Sequence, residues 1–237
     1  MKKILVIGAG RSAVTLIKYL LDNAQQNNWF VTVADFSVDL AKKAVKNLEH
    51  AEAIFFDVKD EKKRKNEISD ADIVISMLPA ALHIIVAKDC IQFKTNLVTA
   101  SYVSEEIAAL DEKAKTSGII LLNEIGLDPG IDHMSAMCVI DEIKDNGGKI
   151  TSFKSYCGGL VHPDFDNNPW KYKFTWNPRN VVLAGQEDAK FLENGAEKTI
   201  VYSDLFTNTE QIKILEAGLF EGYPNRDSIP YKKEYGL

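Results

Sequence analysis

Short apolar runs rich in β-branched residues alternate with helix-patterned segments through the first half of this 237-residue chain. Between the runs, segments such as 11–26 carry apolar residues at helical spacing. Strands that alternate with helices in this way predict a parallel, doubly wound sheet with strand order 3-2-1-4-5-6 and both faces covered. In such a sheet a ligand lies outside the carboxyl ends of the strands. The predicted strands are 3–8, 30–35, 51–57, 71–78, 96–101 and 118–123.

The character of the sequence changes after Asn146-Gly147-Gly148. Residues 150–157 and 171–176 are strand-like and 181–195 predict a helix, with loop-rich sequence between them. We therefore divide the chain into residues 1–130 and a mixed α+β region, 131–237. The second region is short for a domain with its own core, so we expect the chain to be part of a longer protein.

Composition excludes several classes of function. The net charge of −6 argues against a nucleic-acid groove, and we predict that the one dense basic run, Lys62–Lys65, is a solvated helix face. The three cysteines, Cys90, Cys138 and Cys157, form no CxxC pair and have no histidine at ligand spacing, so we predict neither a disulfide framework nor a metal site. No segment has the length of a membrane span, and we expect a cytoplasmic or organelle-matrix protein.

The pattern Gly-Ala-Gly-Arg-Ser-Ala at 8–13 directly follows the first predicted strand and opens a helix. Gly8 permits the tight turn, Gly10 lets the backbone approach a pyrophosphate, and Ala13 allows close helix–strand packing. Asp35 ends the second strand, where a carboxylate binds ribose hydroxyls in dinucleotide sites. The predicted cofactor-binding residues of this loop and strand are Gly8, Gly10, Arg11, Ser12, Ala13 and Asp35.

Other polar or small residues also stand where predicted strands end. Asp57 ends the third predicted strand, Leu78 ends the fourth and Ala100 lies at the end of the fifth. The segment 122–134, LNEIGLDPGIDHM, follows the sixth. Because the carboxyl ends of parallel strands share one edge, we predict that all of these face a single crevice and contribute to the cofactor site.

Asp128-Pro129-Gly130 is a turn string. Pro129 suits position i+1 of a type II turn and Gly130 the position with positive φ. Two interpretations of Asp128 remain open: its side chain braces its own turn, or the turn directs it into the crevice.

Five strings together resemble the saccharopine dehydrogenase (L-glutamate-forming) family, also called saccharopine reductase. They are ASYVS (100–104), NEIGLDPGIDHM (123–134), YCGGL (156–160), NNPWKYKFTWNPR (167–179) and EGYPNRDS (221–228). The resemblance implies a Rossmann domain followed by a mixed α/β domain that binds substrate and forms a homodimer, and family chains continue past the last residue here. It also implies oxidation of saccharopine by hydride transfer to NAD(P)⁺, with hydrolysis to L-glutamate and 2-aminoadipate 6-semialdehyde, or the reverse.

Site residues follow from the resemblance position by position. Ser101 and Tyr102 match a substrate-contacting pair, and Asp128 matches an acid near both ligands. Arg226 matches an arginine that clamps a substrate carboxylate, with a surface ion pair as the alternative. Cys157 matches a cysteine that lines the site, with a small buried packing residue as the alternative. The implied catalytic residues are thus Asp128, Tyr102 and Cys157. The implied substrate-binding residues are Ser101, Tyr102, Asp128 and Arg226. Leu127 and Pro129 are implied to flank the nicotinamide.

The remaining conspicuous residues carry no predicted chemistry. We interpret Trp170, Tyr172, Phe174 and Trp176 as core or pocket wall, and we give His83 and His133 no catalytic role. His162 stands where the family usually has a Gly-Leu-Pro-Ala-Pro run, which leaves the local loop shape open.

Asp35 bears on cofactor choice. Fungal-type members have a Cys-Arg pair at the end of the second strand, where this chain has Asp35 and Phe36. A carboxylate there favours NAD by repelling the 2′-phosphate of NADP. We therefore expect NAD to be preferred. NADP remains possible, because Arg11 in the glycine loop can relax the discrimination.

Two other functions stay open from the sequence. One is a related amine dehydrogenase, such as a lysine 6-dehydrogenase or a carboxyspermidine-type dehydrogenase. The other is a non-catalytic nucleotide-binding fragment. For the chain as given, we expect dinucleotide binding with weak turnover.

Overall fold

The computed structural model describes residues 1–46 and 48–237. The chain divides into two compact units, Met1–His133 and Met134–Leu237. No helix among the described residues combines the length and the apolarity needed to cross a membrane.

The first unit is a six-stranded parallel sheet with helices between the strands. Its strand order is β3-β2-β1-β4-β5-β6, so the predicted doubly wound topology is confirmed. The strands are Lys2–Ile7 (β1), Trp29–Asp35 (β2), Ala51–Phe55 (β3), Ile73–Ser76 (β4), Asn96–Thr99 (β5) and Leu121–Leu122 (β6). The helices are Val14–Asn27 (α1), Val38–Val45 (α2), Glu61–Ser69 (α3), His83–Phe93 (α4), Glu105–Ala108 (α5) and Asp111–Ser117 (α6).

Alternate residues of β1 enter two separate hydrophobic clusters. Ile4 and Val6 pack in one cluster with α1 and α2, and Leu5 and Ile7 pack in the other with α3 to α6. Successive side chains of a strand point to opposite faces, so a strand covered by helices on both faces must be apolar throughout. This is why the predicted strands appear as continuous apolar runs.

The basic run in α3 is only partly a solvated face, and the prediction is wrong for Arg64. Arg64 is 8% exposed, and its Nε donates a hydrogen bond of 2.6 Å to Asp89 Oδ2 on α4. Its Nη1 also donates to the carbonyl of Val58 at 2.6 Å. Arg64 lies one helical turn before the fully buried Ile68, and therefore on the stripe of α3 that faces the core.

The second unit contains most of a 15-residue helix, two short α-helices and two antiparallel hairpins. Helix α7 begins just before the unit boundary and runs into this unit. In chain order the elements are Ile131–Asp145 (α7), Pro178–Ala184 (α8), Ala189–Glu193 (β7), Ala196–Ile200 (β8), Glu210–Ile214 (β9), Gly218–Gly222 (β10) and Ile229–Glu234 (α9). Strand β7 pairs with β8, and β9 pairs with β10.

Three secondary-structure predictions for the second unit are wrong. Residues 150–157 and 171–176 form no strand, because a strand requires a paired backbone and apolar patterning shows only a local tendency. The predicted helix over 181–195 is α8 followed by β7. Of the aromatic residues interpreted as core or pocket wall, Trp170, Phe174 and Trp176 are exposed, with Trp170 86% exposed, and Tyr172 is half-buried.

Candidate functional site

Steric neighbours distinguish the two glycines of the loop after β1. Gly8 has a φ of 107°, and a Cβ there would lie 3.0 Å from the carbonyl oxygen of Met77 after β4. Gly10 has a φ of −69°, and a Cβ there would meet no atom within 4 Å. Ala13 is 1% exposed and packs beneath the start of α1. Arg11 and Ser12, which stand between Gly10 and Ala13 in the sequence, are exposed. The loop therefore presents open backbone at Gly10, where a pyrophosphate fits.

Asp35 joins the end of β2 to the same loop. Its Oδ2 accepts a hydrogen bond of 2.6 Å from the Ala9 amide, and its Oδ1 accepts one of 2.7 Å from the Ser37 amide. Each carboxylate oxygen can accept more than one hydrogen bond, so a ribose hydroxyl can still bind there. The carboxylate thus holds the glycine loop against the end of β2.

The three residues predicted at the other strand ends make structural contacts within the first unit. Asp57 accepts a hydrogen bond of 2.9 Å from the Lys59 amide through Oδ1, which braces its own turn. Leu78 is half-buried against the core of the sheet. Ala100 contacts the turn after β6, since a Cβ on Gly126 would lie 3.1 Å from the Ala100 Cβ.

The turn after β6 directs Asp128 to Tyr102. The Tyr102 hydroxyl donates a hydrogen bond of 2.8 Å to Asp128 Oδ1, which connects the loop after β5 to this turn. The hydrogen bond reaches across to another loop, so Asp128 does more than brace its own turn. Both side chains are exposed, and Leu127 beside them is 76% exposed.

The predicted type II turn is wrong. The Asp128–Pro129 peptide is cis, and Gly130 has a φ of 152°. The Gly126 amide donates to the Pro129 carbonyl at 2.9 Å, and Gly126 in turn accepts from the Ile131 amide at 3.0 Å. A Cβ on Gly130 would lie 2.1 Å from the Gly126 oxygen, so this close approach of two backbones requires glycine.

The other acidic side chains of this segment hold the turn in place. Glu124 Oε1 accepts a hydrogen bond of 3.0 Å from the Val103 amide, and Asp132 Oδ1 accepts one of 2.7 Å from the Gly130 amide. The Nε2 of His133 lies 4.0 Å from Glu124 Oε2 and 3.9 Å from Asp132 Oδ2. These carboxylates therefore support the segment that carries Asp128.

His83 is a buried polar centre that the sequence reasoning left without a role. It is 3% exposed, its Nδ1 lies 2.9 Å from Ser76 Oγ, and its Nε2 lies 2.7 Å from Ser101 Oγ. Thr99 Oγ1 lies 3.2 Å from the same Nε2. Burial lowers the pKa of His83 to about 4, so the ring is neutral at pH 7. The sequence signal that could have identified His83 is its position at the start of α4, next to strand ends that the sequence predicts to lie at one edge of the sheet.

The second unit holds the two remaining predicted residues. Cys157 is exposed in a segment without regular secondary structure, which rules out the buried-packing interpretation. Arg226 is half-buried in the bend after β10, with a φ of 55°. Its carbonyl accepts a hydrogen bond of 2.8 Å from the Lys190 amide of β7. Within the described ranges, no group of three or more His, Cys, Asp or Glu side chains is arranged to hold a metal.

Two family models match successive parts of the chain. Residues 4–122 match the saccharopine dehydrogenase NADP binding domain, and residues 126–237 match the saccharopine dehydrogenase C-terminal domain.

Individual relatives show the same similarity. The chain is 40% identical over 236 residues to saccharopine dehydrogenase [NADP(+), L-glutamate-forming] of Pyricularia oryzae, covering 100% of this chain and 52% of the relative. It is 43% identical over 218 residues to alpha-aminoadipic semialdehyde synthase of Arabidopsis thaliana, covering 91% of this chain and 20% of that protein.

A solved structure of apo histidine-tagged saccharopine dehydrogenase (L-Glu forming) from Saccharomyces cerevisiae has the same fold. It superposes with a TM-score of 0.89 at 38% identity, covering 100% of this chain and 52% of that one. The chain therefore spans about half the length of these fungal relatives.

Proposed function

This chain belongs to the saccharopine dehydrogenase family, and we propose that the protein is an NAD(P)-dependent oxidoreductase of lysine metabolism. The proposed reaction oxidises saccharopine to L-glutamate and 2-aminoadipate 6-semialdehyde, or runs in reverse. The observation that carries the proposal is the Tyr102–Asp128 hydrogen bond of 2.8 Å, in the loops that follow β5 and β6. These loops lie at the carboxyl edge of a doubly wound sheet, where ligands of such folds bind.

The chemistry requires a hydride acceptor, a partner for the amine N–H and a way to orient water. When bound, the nicotinamide cofactor accepts the hydride from the carbon next to the secondary amine. The amine loses its proton as the C=N bond forms, and water then adds to that carbon before the C–N bond breaks. Asp128 is the proposed acceptor for the amine N–H, and Tyr102 holds the carboxylate by donating to Oδ1.

The test compares Asp128→Asn with Tyr102→Phe in the full-length protein. Asp128→Asn removes the negative charge but keeps the shape, so we expect kcat for saccharopine oxidation to fall by on the order of 100-fold. Tyr102→Phe removes only the hydroxyl and should cost less. Tyr102→Phe should leave the NAD(P)H affinity, measured by fluorescence titration, unchanged. An unchanged kcat in Asp128→Asn would refute the catalytic role of this carboxylate.

We further propose a preference for NAD over NADP by at least about tenfold. Support comes from the Asp35 carboxylate, which would face the 2′-phosphate of NADP. The matching family domain is an NADP-binding domain and the fungal relatives are named for NADP, and both observations favour NADP instead. Lys63 is a candidate partner for a 2′-phosphate, because its Nζ lies 5.6 Å from the ring centre of Phe55, the register partner of Asp35.

Titration of the chain with NADH and NADPH distinguishes these possibilities. If NAD is preferred, Asp35→Asn should strengthen NADPH binding and Lys63→Ala should change neither affinity. Tighter NADPH binding by the unmodified protein, weakened by Lys63→Ala, would instead assign NADP. Unfolding of Asp35→Asn in urea is the control, because this side chain also binds two backbone amides.

We also propose a cytoplasmic homodimer in which the second unit binds substrate and contributes to the interface. Support comes from the family resemblance and from the exposed apolar residues of the β9–β10 hairpin, among them Leu215 at 91% and Leu219 at 62% exposed. Sedimentation velocity of the full-length protein and of Leu219→Glu tests the interface, and a monomer in both cases would exclude it.

A further inference from the structure

His83 connects the ends of two neighbouring strands beneath the proposed substrate site. It opens α4, and its ring lies between Ser76, the last residue of β4, and Ser101, just after β5. Ser76 is fully buried and Ser101 is half-buried. The line of contacts from Ser76 through His83 to Ser101 therefore runs from the core of the sheet toward its carboxyl edge.

The direction of these hydrogen bonds depends on which ring nitrogen carries the proton. A neutral imidazole has one N–H donor and one acceptor nitrogen. If Nε2 carries the proton, it donates to Ser101 Oγ, and the Ser101 hydroxyl keeps its own proton to donate elsewhere. If Nδ1 carries the proton, Ser101 must donate to Nε2 and presents only lone pairs to a ligand.

Three hydroxyls contact the ring, and two of them, those of Ser76 and Thr99, are buried and compete for its single lone pair. The Ser76 hydroxyl is 2.9 Å from Nδ1, and His83 is the partner that the described part of the chain provides for it. Thr99 Oγ1 lies farther away, 3.2 Å from Nε2, and already accepts a hydrogen bond of 3.3 Å from the Ser101 amide. The half-buried Ser101 can donate its hydroxyl proton to a ligand, whereas the buried hydroxyls of Ser76 and Thr99 need an acceptor inside the protein. The shorter of these two buried contacts favours Ser76 as donor to Nδ1. The ring proton then lies on Nε2.

We propose that His83 is a positioning residue whose Nε2–H donates to Ser101 Oγ and so directs the Ser101 hydroxyl proton toward the substrate. The oriented hydroxyl would donate to a carboxylate oxygen of an amino-acid substrate. This inference rests on the proposed function, because Ser101 contacts the substrate only in that proposal. The hydrogen-bond direction itself rests on the geometry around His83 alone.

The first experiment measures the tautomer on the unmodified chain and does not depend on activity. With ¹⁵N-labelled histidine, we expect His83 near pH 7 to show a protonated, pyrrole-type Nε2 and an unprotonated, pyridine-type Nδ1. Loss of this signal in His83→Gln assigns it. The opposite tautomer, or a doubly protonated ring, would overturn the proposal even if saccharopine is the substrate.

The second experiment uses two amides of different reach in the full-length protein. The side-chain nitrogen of Gln can occupy the place of Nε2 and donate to Ser101, whereas that of Asn reaches only the place of Nδ1. We expect His83→Gln to retain the KM for saccharopine within about twofold and His83→Asn to raise it by about tenfold. The kcat and the affinity for NAD(P)H should change little in either variant.

Ser101→Ala completes the comparison. If His83 acts through Ser101, His83→Asn should add no further increase in KM on a Ser101→Ala background. Equal effects of Asn and Gln, or additive effects with Ser101→Ala, would overturn the positioning role. If the unmodified protein oxidises no saccharopine, the proposed function fails, and the tautomer measurement still decides the arrangement of His83.

Discussion

Gly8 and Gly10 stand two residues apart in one loop, and different physical demands make each a glycine. At Gly8 the protein itself excludes a side chain, through a φ of 107° and the Met77 carbonyl 3.0 Å from a Cβ. At Gly10 the surrounding space is open and the backbone angle suits any residue. The first glycine thus serves folding, and the second leaves room for a ligand.

Alanine substitutions should separate these two roles. We expect Gly8→Ala to lower the free energy of unfolding by about 1–3 kcal/mol, because alanine is strained at that φ and also contacts Met77. Gly10→Ala should leave unfolding unchanged but weaken NAD(P)H binding by about tenfold, since its methyl group would occupy space needed by the pyrophosphate. Urea unfolding and fluorescence titration measure the two effects. A stability loss at Gly10 equal to that at Gly8 would contradict this assignment.

His83 should make stability depend on pH. Burial lowers its pKa from 6.5 to about 4, so below pH 6.5 the unfolded chain binds a proton that the folded chain excludes. Stability from this group is therefore complete above about pH 6.5 and falls as the pH drops toward 4, by on the order of 3 kcal/mol in all.

The measurement is the difference between two pH profiles of unfolding. His83→Gln removes the titrating ring, so its profile should be flatter than that of the unmodified chain over this range. Parallel profiles would show that His83 does not carry the proton uptake.

At the scale of elements, one buried ion pair joins α3 to α4. Arg64 Nε and Asp89 Oδ2 lie 2.6 Å apart, with side chains 9% and 7% exposed. Removing one partner leaves the other charge buried without compensation, which costs more than the pair itself contributes. Lys65, the next residue of α3, pairs with Glu61 instead, and the Glu61 side chain is 68% exposed.

We expect Arg64→Met to lower the free energy of unfolding by about 3–5 kcal/mol. Lys65→Met is the matched control and should leave stability unchanged within error, because exposed pairs contribute little. The double variant Arg64→Met/Asp89→Leu should recover most of the loss, since it removes both buried charges. Chemical denaturation of the three variants tests this, and no recovery in the double variant would show that packing rather than charge dominates.

At the scale of the whole molecule, we propose that the first unit binds the cofactor and that the second unit contributes Arg226 to substrate binding. The glycine loop and Asp35 belong to the first unit, and Arg226 belongs to the second. Arg226→Met in the full-length protein should weaken saccharopine binding by about 2–5 kcal/mol, because an arginine–carboxylate hydrogen bond is lost. NAD(P)H affinity should stay the same. Calorimetric titration with each ligand measures both, and equal losses would make Arg226 a structural residue.

Local patterns in the sequence were sufficient to predict the strands and helices of the first unit, the glycine loop and the position of the turn after β6, and the strand order followed from the topology usual for such alternation. Apolar runs covered on both faces, helical spacing and glycine at a positive φ are properties of neighbouring residues. One local signal was overlooked: Asn194-Gly195, with φ of 54° and 82°, forms the tight turn of the β7–β8 hairpin inside the predicted helix.

Only the tertiary structure decided which polar groups meet. Arg64 and Asp89 are 25 residues apart, His83 and Ser101 are 18 apart, and Tyr102 and Asp128 are 26 apart. Such partners are selected by how strands and helices pack, because a buried charge or hydroxyl takes whichever partner the fold brings within hydrogen-bonding distance. For the same reason residues 150–157 form no strand despite their pattern: backbone pairing is a property of two segments, and sequence periodicity describes one.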